Sequence, residues 1–232
     1  MIRLREITHF LREFAPPELA EDWDNVGLLL GDPADEIRSM LTCLTLTPNV
    51  AEEAIAAKCQ LVVSHHPVLF RPVQRLTAET SEGRMLLSLI RAGVSVYSPH
   101  TSYDSAADGI NAQLAKLFDL RDVQPLRPLA TSPLGSGRWG CLPSAPTLGE
   151  LIEHAKPALR VSTLQYVGTL DRRITKLGIA CGAAAEFLRD ASQFGCEALL
   201  TGEARFHSCL EAEASHIALI LPGHYATERP AM

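Results

Sequence analysis

The sequence of 232 residues holds no C-x-x-C pair; its six cysteines, Cys43, Cys59, Cys141, Cys181, Cys196 and Cys209, stand far apart. Such spacing speaks against a disulfide framework and for small buried hydrophobes in a reducing compartment. No apolar run approaches the roughly 20 residues that span a bilayer. The opening Met1-Ile2-Arg3-Leu4-Arg5-Glu6 lacks the apolar core of a signal peptide. A cytoplasmic location is therefore expected. A basic surplus is also missing: 21 Lys and Arg against 27 Asp and Glu give a net charge of −6. That balance argues against broad binding to nucleic acid or to membranes. There is no G-x-S-x-G elbow and no Walker A loop. Disorder and collagen are excluded by 47% hydrophobic and 21% charged residues, and the length suits one or two domains.

What is present is a repeated grammar. Leu4, Ile7, Phe10, Leu11 and Phe14 share one face of an amphipathic helix, which Pro16-Pro17 stops. An acidic loop, Glu21-Asp22-Trp23-Asp24-Asn25-Val26-Gly27, then runs into Leu28-Leu29-Leu30. Four short apolar runs end abruptly in polar chemistry. Leu61–Val63 leads to Ser64-His65-His66-Pro67, and Val94–Tyr97 to His100-Thr101-Ser102-Tyr103-Asp104. Ala198–Leu200 leads to Thr201-Gly202-Glu203 and His207, and Ile217–Leu221 to Gly223-His224-Tyr225-Ala226-Thr227-Glu228. Short apolar runs between helical patterns predict buried parallel strands in an α/β fold. Ligand sites in such sheets form beyond the carboxyl ends of the strands, where all four runs carry their polar residues.

Ala54, Cys59, Leu61–Ser64 and Ala191, Cys196, Ala198–Thr201 align at one offset, so each half is expected to hold a β-α-β unit. A duplication and two unrelated units explain this alignment equally well. Prolines 125, 128, 133, 143 and 146, with Gly135, Gly137 and Gly140, mark a boundary. The expected organisation is a first α/β domain over 1–124, joined by 217–232, a connection over 125–147, and a second α/β domain over 148–216.

His65, His66, His100, His207 and His224 all follow apolar runs. Any one of them alone reads more simply as a structural histidine. The pair His65-His66 is harder to dismiss, because two imidazoles are costly to bury without partners. Asp104 and Glu228 add carboxylates after strands, and His224 and Glu228 share a face if they lie on one helical turn. Imidazole and carboxylate without thiolate suit Zn, Fe, Mn, Ni or Co. Two such ions could clamp a phosphate oxygen or activate water. Cys181–Ala185 reads as an anion-holding turn or, more simply, a tight turn. Arg71–Arg75 reads as a phosphate contact or a solvated loop. Trp23 and Tyr103 line a pocket or pack a core.

Glu21–Leu28, Ser64–Pro67, His100–Asp104, Thr201–Glu203 and Gly223–Glu228 together resemble, in order and over almost the whole chain, the NIF-three-like dinuclear metal-centre proteins, also called GTP cyclohydrolase 1 type 2 homologues. The resemblance implies two interlinked α/β domains, assembled as a toroidal homohexamer, and two divalent ions per chain. By position, His66 and Asp104 would hold one ion, His65 and His224 the other, and Glu228 would bridge them. Glu203 and His207 become the candidate catalytic residues, contacting substrate or supporting a ligand. His100 is expected to support ligands rather than be one.

The activity implied is that of a metal-dependent hydrolase of a nucleotide or phosphoester. The alternative is a non-catalytic metal-binding or regulatory scaffold. Three departures stand out. Thr45 stands where the family often has an aspartate, which puts a hydrogen bond behind the ligands in question but not the ligands themselves. Ser102-Tyr103 replaces Asn-Leu. The sequence ends at Met232, where the resembled proteins usually continue with a covering helix and strand; a shortened or divergent C-terminus of this kind predicts a less firmly held Glu228.

Overall fold

The predicted amphipathic helix is α1 (Leu4–Phe14), entered from strand β1 (Ile2–Arg3). Glu6 turns back to accept the Arg3 N–H at 2.8 Å, satisfying a donor that the helix start leaves open. This computed structural model describes residues 1–130 and 132–232, which fall into two compact units, Met1–Tyr103 with Met232, and Asp104–Ala231.

In the first unit, β2 (Gly27–Leu30), β4 (Met40–Thr45), β5 (Leu61–His66) and β6 (Ser95–Ser98) form a sheet in the order β2-β6-β5-β4; β3 (Glu36–Ile37) pairs only with β1. β4, β5 and β6 run parallel and β2 is antiparallel to β6. Crossover helices α2 (Pro48–Ala56) and α3 (Ser81–Ala92) connect the parallel strands. β5 is buried on both faces. Val62 packs with Ala54, Leu86, Leu89 and Val96, while Leu61 and Val63 pack with Leu4, Ile7 and Tyr97. That explains the continuous apolar run. After β6 comes the short helix α4 (His100–Ser105).

The second unit contains α5 (Ile110–Leu117), β7 (Arg121–Gln124), β8 (Arg127–Pro128), β9 (Gly135–Ser136) and β10 (Arg138–Cys141). These are followed by α6 (Leu148–Leu159), β11 (Gln165–Val167), β12 (Lys176–Ala180) and α7 (Leu188–Gln193). Last come β13 (Ala198–Thr201), α8 (Phe206–Ala214), β14 (Ala218–Leu221) and α9 (His224–Glu228). The six-stranded order is β11-β14-β13-β12-β10-β7, with β12, β13 and β14 parallel and the outer strands antiparallel.

All four apolar runs are therefore strands, and each unit holds a parallel β-α-β, β4-α2-β5 and β12-α7-β13. The compact units divide between Tyr103 and Asp104, whereas the sequence places the boundary after 124. Strand pairing is the reason: β7 and β10 hydrogen-bond into the second sheet, and β14 lies within it, so 121–141 and 217–231 go with the second unit. Gly135, Gly137 and Gly140 have the spacing G-x-G-x-x-G, but Gly135 lies in β9, Gly140 in β10 and Gly137 in the bend between them, and they open no helix. They form no dinucleotide loop. Among the described residues no helix is long and apolar enough to cross a membrane.

Candidate metal centre

The parallel register brings the histidines of the first unit together. Val63 of β5 lies beside Tyr97 of β6, so His65-His66 at the end of β5 and His100 just after β6 come to the same edge of the sheet. His65 is fully buried. Ring centroids are 5.0 Å apart for His65 and His66, 5.2 Å for His65 and His100, and 5.7 Å for His66 and His100. One ring nitrogen from each lies within 4.8 Å of the others, so this group could hold a metal ion.

The rings are oriented from behind. Thr45 and His66 are register partners on β4 and β5, and the Thr45 Oγ1 lies 2.7 Å from His66 Nδ1. Asp24 Oδ1 lies 2.7 Å from His100 Nδ1, and its other oxygen accepts the Thr101 N–H at 3.1 Å and the Thr101 hydroxyl at 2.5 Å. Burial pushes the Asp24 carboxyl up, but the hydrogen bonds from His100 and Thr101 outweigh it and hold the pKa below the ordinary value. Trp23 and Phe70 stand edge-on to His100 at 6.1 and 6.3 Å. Trp23 is thus an exposed wall of the cluster, not core, whereas Tyr103 is buried and stands 6.3 Å from His65.

In the second unit, three adjacent parallel strands end in glycines whose backbones touch. Gly202 N–H donates to Gly182 O at 2.8 Å, and Gly223 N–H to Gly202 O at 2.9 Å. A Cβ on Gly202 would fall 2.6 Å from Gly182 O and 2.7 Å from the His224 Cα, so only glycine permits this approach. The approach sets His224 Nδ1 at 3.0 Å from Glu203 Oε1. The single turn of α9 carries Glu228 round to 2.9 Å from His224 Nε2. The Glu228 hydrogen bond, opposed by burial and reinforced by Glu203, raises the His224 pKa to about 9.

Asp104 is fixed through its backbone. Asn111 Nδ2 donates to Asp104 O at 3.1 Å, and the Arg138 Nη2 to Ser105 O and Ala106 O at 2.9 Å each. Three successive carbonyls at the end of α4 are thus capped by two buried side chains. Arg138 also donates to Gly135 O and Gly137 O at 2.6 and 2.7 Å. Burial first, then the Asp104 and Glu228 carboxylates, push the Cys181 thiol well above its ordinary pKa. It remains a thiol, able to donate to Asp104.

The hydrogen bond that Thr45 put in question is made: its hydroxyl lies 2.7 Å from His66 Nδ1. His100 stands in the histidine group itself. Glu228 is 3% exposed and lies on a helical turn, so it is not loosely held. Glu203 is the partner of His224, while His207 is exposed on α8 with its ring 5.7 Å from Phe206. In the Cys181–Ala185 turn the hydrogen bonds favour the plain tight turn. The N–H groups of Cys181, Gly182 and Ala184 already donate to Asn111, Thr227 and Thr201. Arg71 and Arg75 lie in an exposed loop. Sequence reasoning assigned no role to Asp24, Asn111, Arg138 or Thr227. Asp24 alone gave a signal, as an acid in the loop before an apolar run.

The donors fit a divalent metal. A ligating histidine ordinarily has its other nitrogen bonded to an oxygen, which fixes tautomer and orientation. His66, His100 and His224 each show that arrangement at Nδ1, with Thr45, Asp24 and Glu203.

A family model described as Duf34/NIF3 (NGG1p interacting factor 3) matches residues 2–232. A "GTP cyclohydrolase 1 type 2 homolog" of Clostridium acetobutylicum is 31% identical over 233 residues, covering 100% of this chain and 87% of that protein. A "Protein NIF3 homolog" of Schizosaccharomyces pombe is 36% identical over 228 residues, covering 92% and 80%. The crystal structure of a Bacillus cereus protein related to NIF3 superposes with a TM-score of 0.90 at 20% identity, over 97% of this chain and 89% of that one, which speaks to the fold. The chain belongs to the Duf34/NIF3 family.

Proposed function

We propose that this protein binds two divalent metal ions through His65, His66, Asp104, His224 and Glu228, and uses them to hydrolyse a nucleotide or phosphoester. The observation that carries the reading is that His66 and His224, two of these ligands at two strand ends, each have Nδ1 on an oxygen, with His100 beside His66 held in the same way by Asp24. Such repeated orientation is hard to account for by packing alone. His66 with Asp104, and His65 with His224, are the pairs that would hold the ions, with Glu228 shared. Zn, Fe, Mn, Ni and Co all suit such donors. Bound ions of this kind supply Lewis acidity and lower the pKa of water.

The chain's own residues do the rest. Thr45, Asp24 and Glu203 hold the imidazoles in one tautomer. Glu228 is buried, which favours a strong interaction with a cation. In the second unit a cleft of about 990 Å³ is lined by Glu203, Arg205, Ser208, Arg127 and Arg189. Arg127 pairs with Asp190 and Arg189 with Glu211, which leaves Arg205 as the cation best placed to meet a substrate phosphate. Glu203 and His207 are the candidates for moving protons, with Glu203 doing so through His224. A homohexameric ring and a cytoplasmic location complete the reading. The relative named as a GTP cyclohydrolase homologue is consistent with a nucleotide substrate.

The test is metal content of protein purified without added metal or a histidine tag, beside a His65→Ala/Glu228→Ala variant. About two ions per chain, lost in the variant, are expected for a dinuclear site. A panel of nucleotides and phosphodiesters follows, with light scattering for the hexamer. Metal binding without turnover on any substrate would return the scaffold reading.

A further inference from the structure

We propose that the cleft of the second unit is a nucleoside monophosphate site, in which Arg127 stacks the base, Arg205 binds the one phosphate, and Glu186 and Glu203 turn away a triphosphate. It rests on the nucleotide reading above and narrows that substrate from a nucleotide of any charge to one with a single phosphate.

Arg127 defines the base end. Its guanidinium carbon lies 3.9 Å from the centroid of the Phe187 ring. Phe187 is buried and does not line the cleft, whereas Arg127 does. The guanidinium therefore lies between the ring and the open space, with one face on phenylalanine and the other toward the cleft. Its edge is fixed as well. Nε and Nη2 sit 3.0 and 2.8 Å from Asp190 Oδ2, and Nη2 donates to Glu186 O at 3.4 Å. A guanidinium plane held still in this way is a stacking surface for a nucleobase, which offers a π-face whatever its identity.

Arg205 defines the phosphate end. Arg127 is matched by Asp190 and Arg189 by Glu211, and among the described residues Arg205 has no carboxylate partner. Its planar fork suits two oxygens of one phosphate. Ser208, three residues further along, lines the same cleft and adds a hydroxyl. Arg205 follows Glu203 by two residues, and Glu203 Oε1 lies 3.0 Å from His224 Nδ1. A phosphate on Arg205 is thus at the end of the cleft next to His224.

Charge decides how many phosphates the cleft accepts. Three arginines line it, against the four carboxylates of Glu186, Asp190, Glu203 and Glu211. Once the two ion pairs cancel, Arg205 faces two exposed carboxylates, Glu186 and Glu203. His224 does not neutralise Glu203 fully, because it is shared with Glu228. One phosphate meets Arg205, and each further phosphate adds negative charge that Glu186 and Glu203 repel. The volume of about 990 Å³ is ample for a whole nucleoside monophosphate.

The experiment is calorimetric titration of the chelator-treated full chain, so that no metal contributes to binding. AMP, GMP, CMP and UMP are the probes, ribose 5-phosphate is the control without a base, and the matching triphosphates test the charge limit. At least one monophosphate is expected to bind at one site per chain, about tenfold tighter than ribose 5-phosphate and about tenfold tighter than its own triphosphate. Arg127→Lys keeps the charge beside Asp190 and removes the plane. It should weaken that monophosphate about tenfold and leave ribose 5-phosphate unchanged. Arg205→Gln should weaken both, and Glu186→Gln should narrow the preference over the triphosphate. Circular dichroism verifies that each variant is folded. A folded wild type that binds none of the four would overturn the site. So would a monophosphate held no tighter than ribose 5-phosphate, a triphosphate held tighter than its monophosphate, or an affinity indifferent to Arg127→Lys. Monophosphate binding without turnover by the metal-loaded protein would uphold the cleft and sink the hydrolase reading. Turnover of a nucleotide with a KM unmoved by Arg127→Lys would do the opposite.

Discussion

Thr45 Oγ1 lies 2.7 Å from His66 Nδ1, and the two residues are register partners on neighbouring parallel strands. β4 and β5 place the two side chains side by side, so the threonine hydroxyl reaches the ring. Thr45→Val should therefore lower affinity for the ion bound by His66 about tenfold. Thr45→Ser should restore it. Zinc competition titration measures both, and an unchanged affinity in the valine variant would show that strand packing alone orients the ring.

Gly182 sits at φ +68°, and a Cβ there would fall 2.6 Å from Glu228 Oε1 and 3.4 Å from His224 Nε2. Gly182→Ala is expected to cost about 1–2 kcal/mol of stability from the left-handed backbone alone. On the two-ion proposal it should also displace Glu228 and reduce bound metal from two ions to one. Mass spectrometry of the intact metal-loaded protein reads the second effect separately from the first.

Arg138 offers the sharpest stability test. Arg138→Met would strand four buried carbonyls that the guanidinium now satisfies. Unsatisfied buried groups cost about 1–3 kcal/mol each before relaxation, so a net loss of about 3 kcal/mol is expected. For a chain of this length that is a fall in Tm of about 6–12 °C. Arg138→Lys should recover only part, since one ammonium cannot reach carbonyls on two segments. A Tm for the methionine variant within about 2 °C of wild type would mean that water replaces these bonds.

The metal-free protein should lose stability in mild alkali. The His224 pKa is raised from 6.5 to about 9 in the folded state. Its contribution is thus complete below about pH 6.5 and vanishes as pH rises through about 9, where the folded state loses its extra proton. Urea midpoints of chelator-treated protein should fall across that window, and Glu228→Gln should flatten the fall. Added Zn²⁺ should abolish it, because metal and proton compete for the same nitrogen. A wild-type slope identical to that of Glu228→Gln would refute the assignment.

Much of this molecule was legible in the order of its residues. The runs ending at Val63, Tyr97, Leu200 and Leu221 read as buried parallel strands because burial on both faces removes the polar alternation of a half-exposed strand. Polar residues right after them read as a site because carboxyl ends of parallel strands open onto a crevice. The alignment of Ala54–Ser64 with Ala191–Thr201 located both β-α-β units. In contrast, the glycine- and proline-rich 125–147 gave a boundary signal although it contains β10, because turn chemistry masks a four-residue strand.

The sequence by itself determined the element types, the strand-end positions of the histidines and carboxylates, and the family. Each of these is written in local spacing or in short motifs. Tertiary structure alone decided which oxygen orients which ring. Asp24 meets His100 and Glu203 meets His224 across long separations in the chain. It also decided that Arg138 caps the carbonyls behind Asp104. These partners are chosen by strand register and by where a helix end leaves its carbonyls open. Neither leaves a periodic trace in the sequence, because a hydrogen bond needs only one donor and one acceptor brought to the same place.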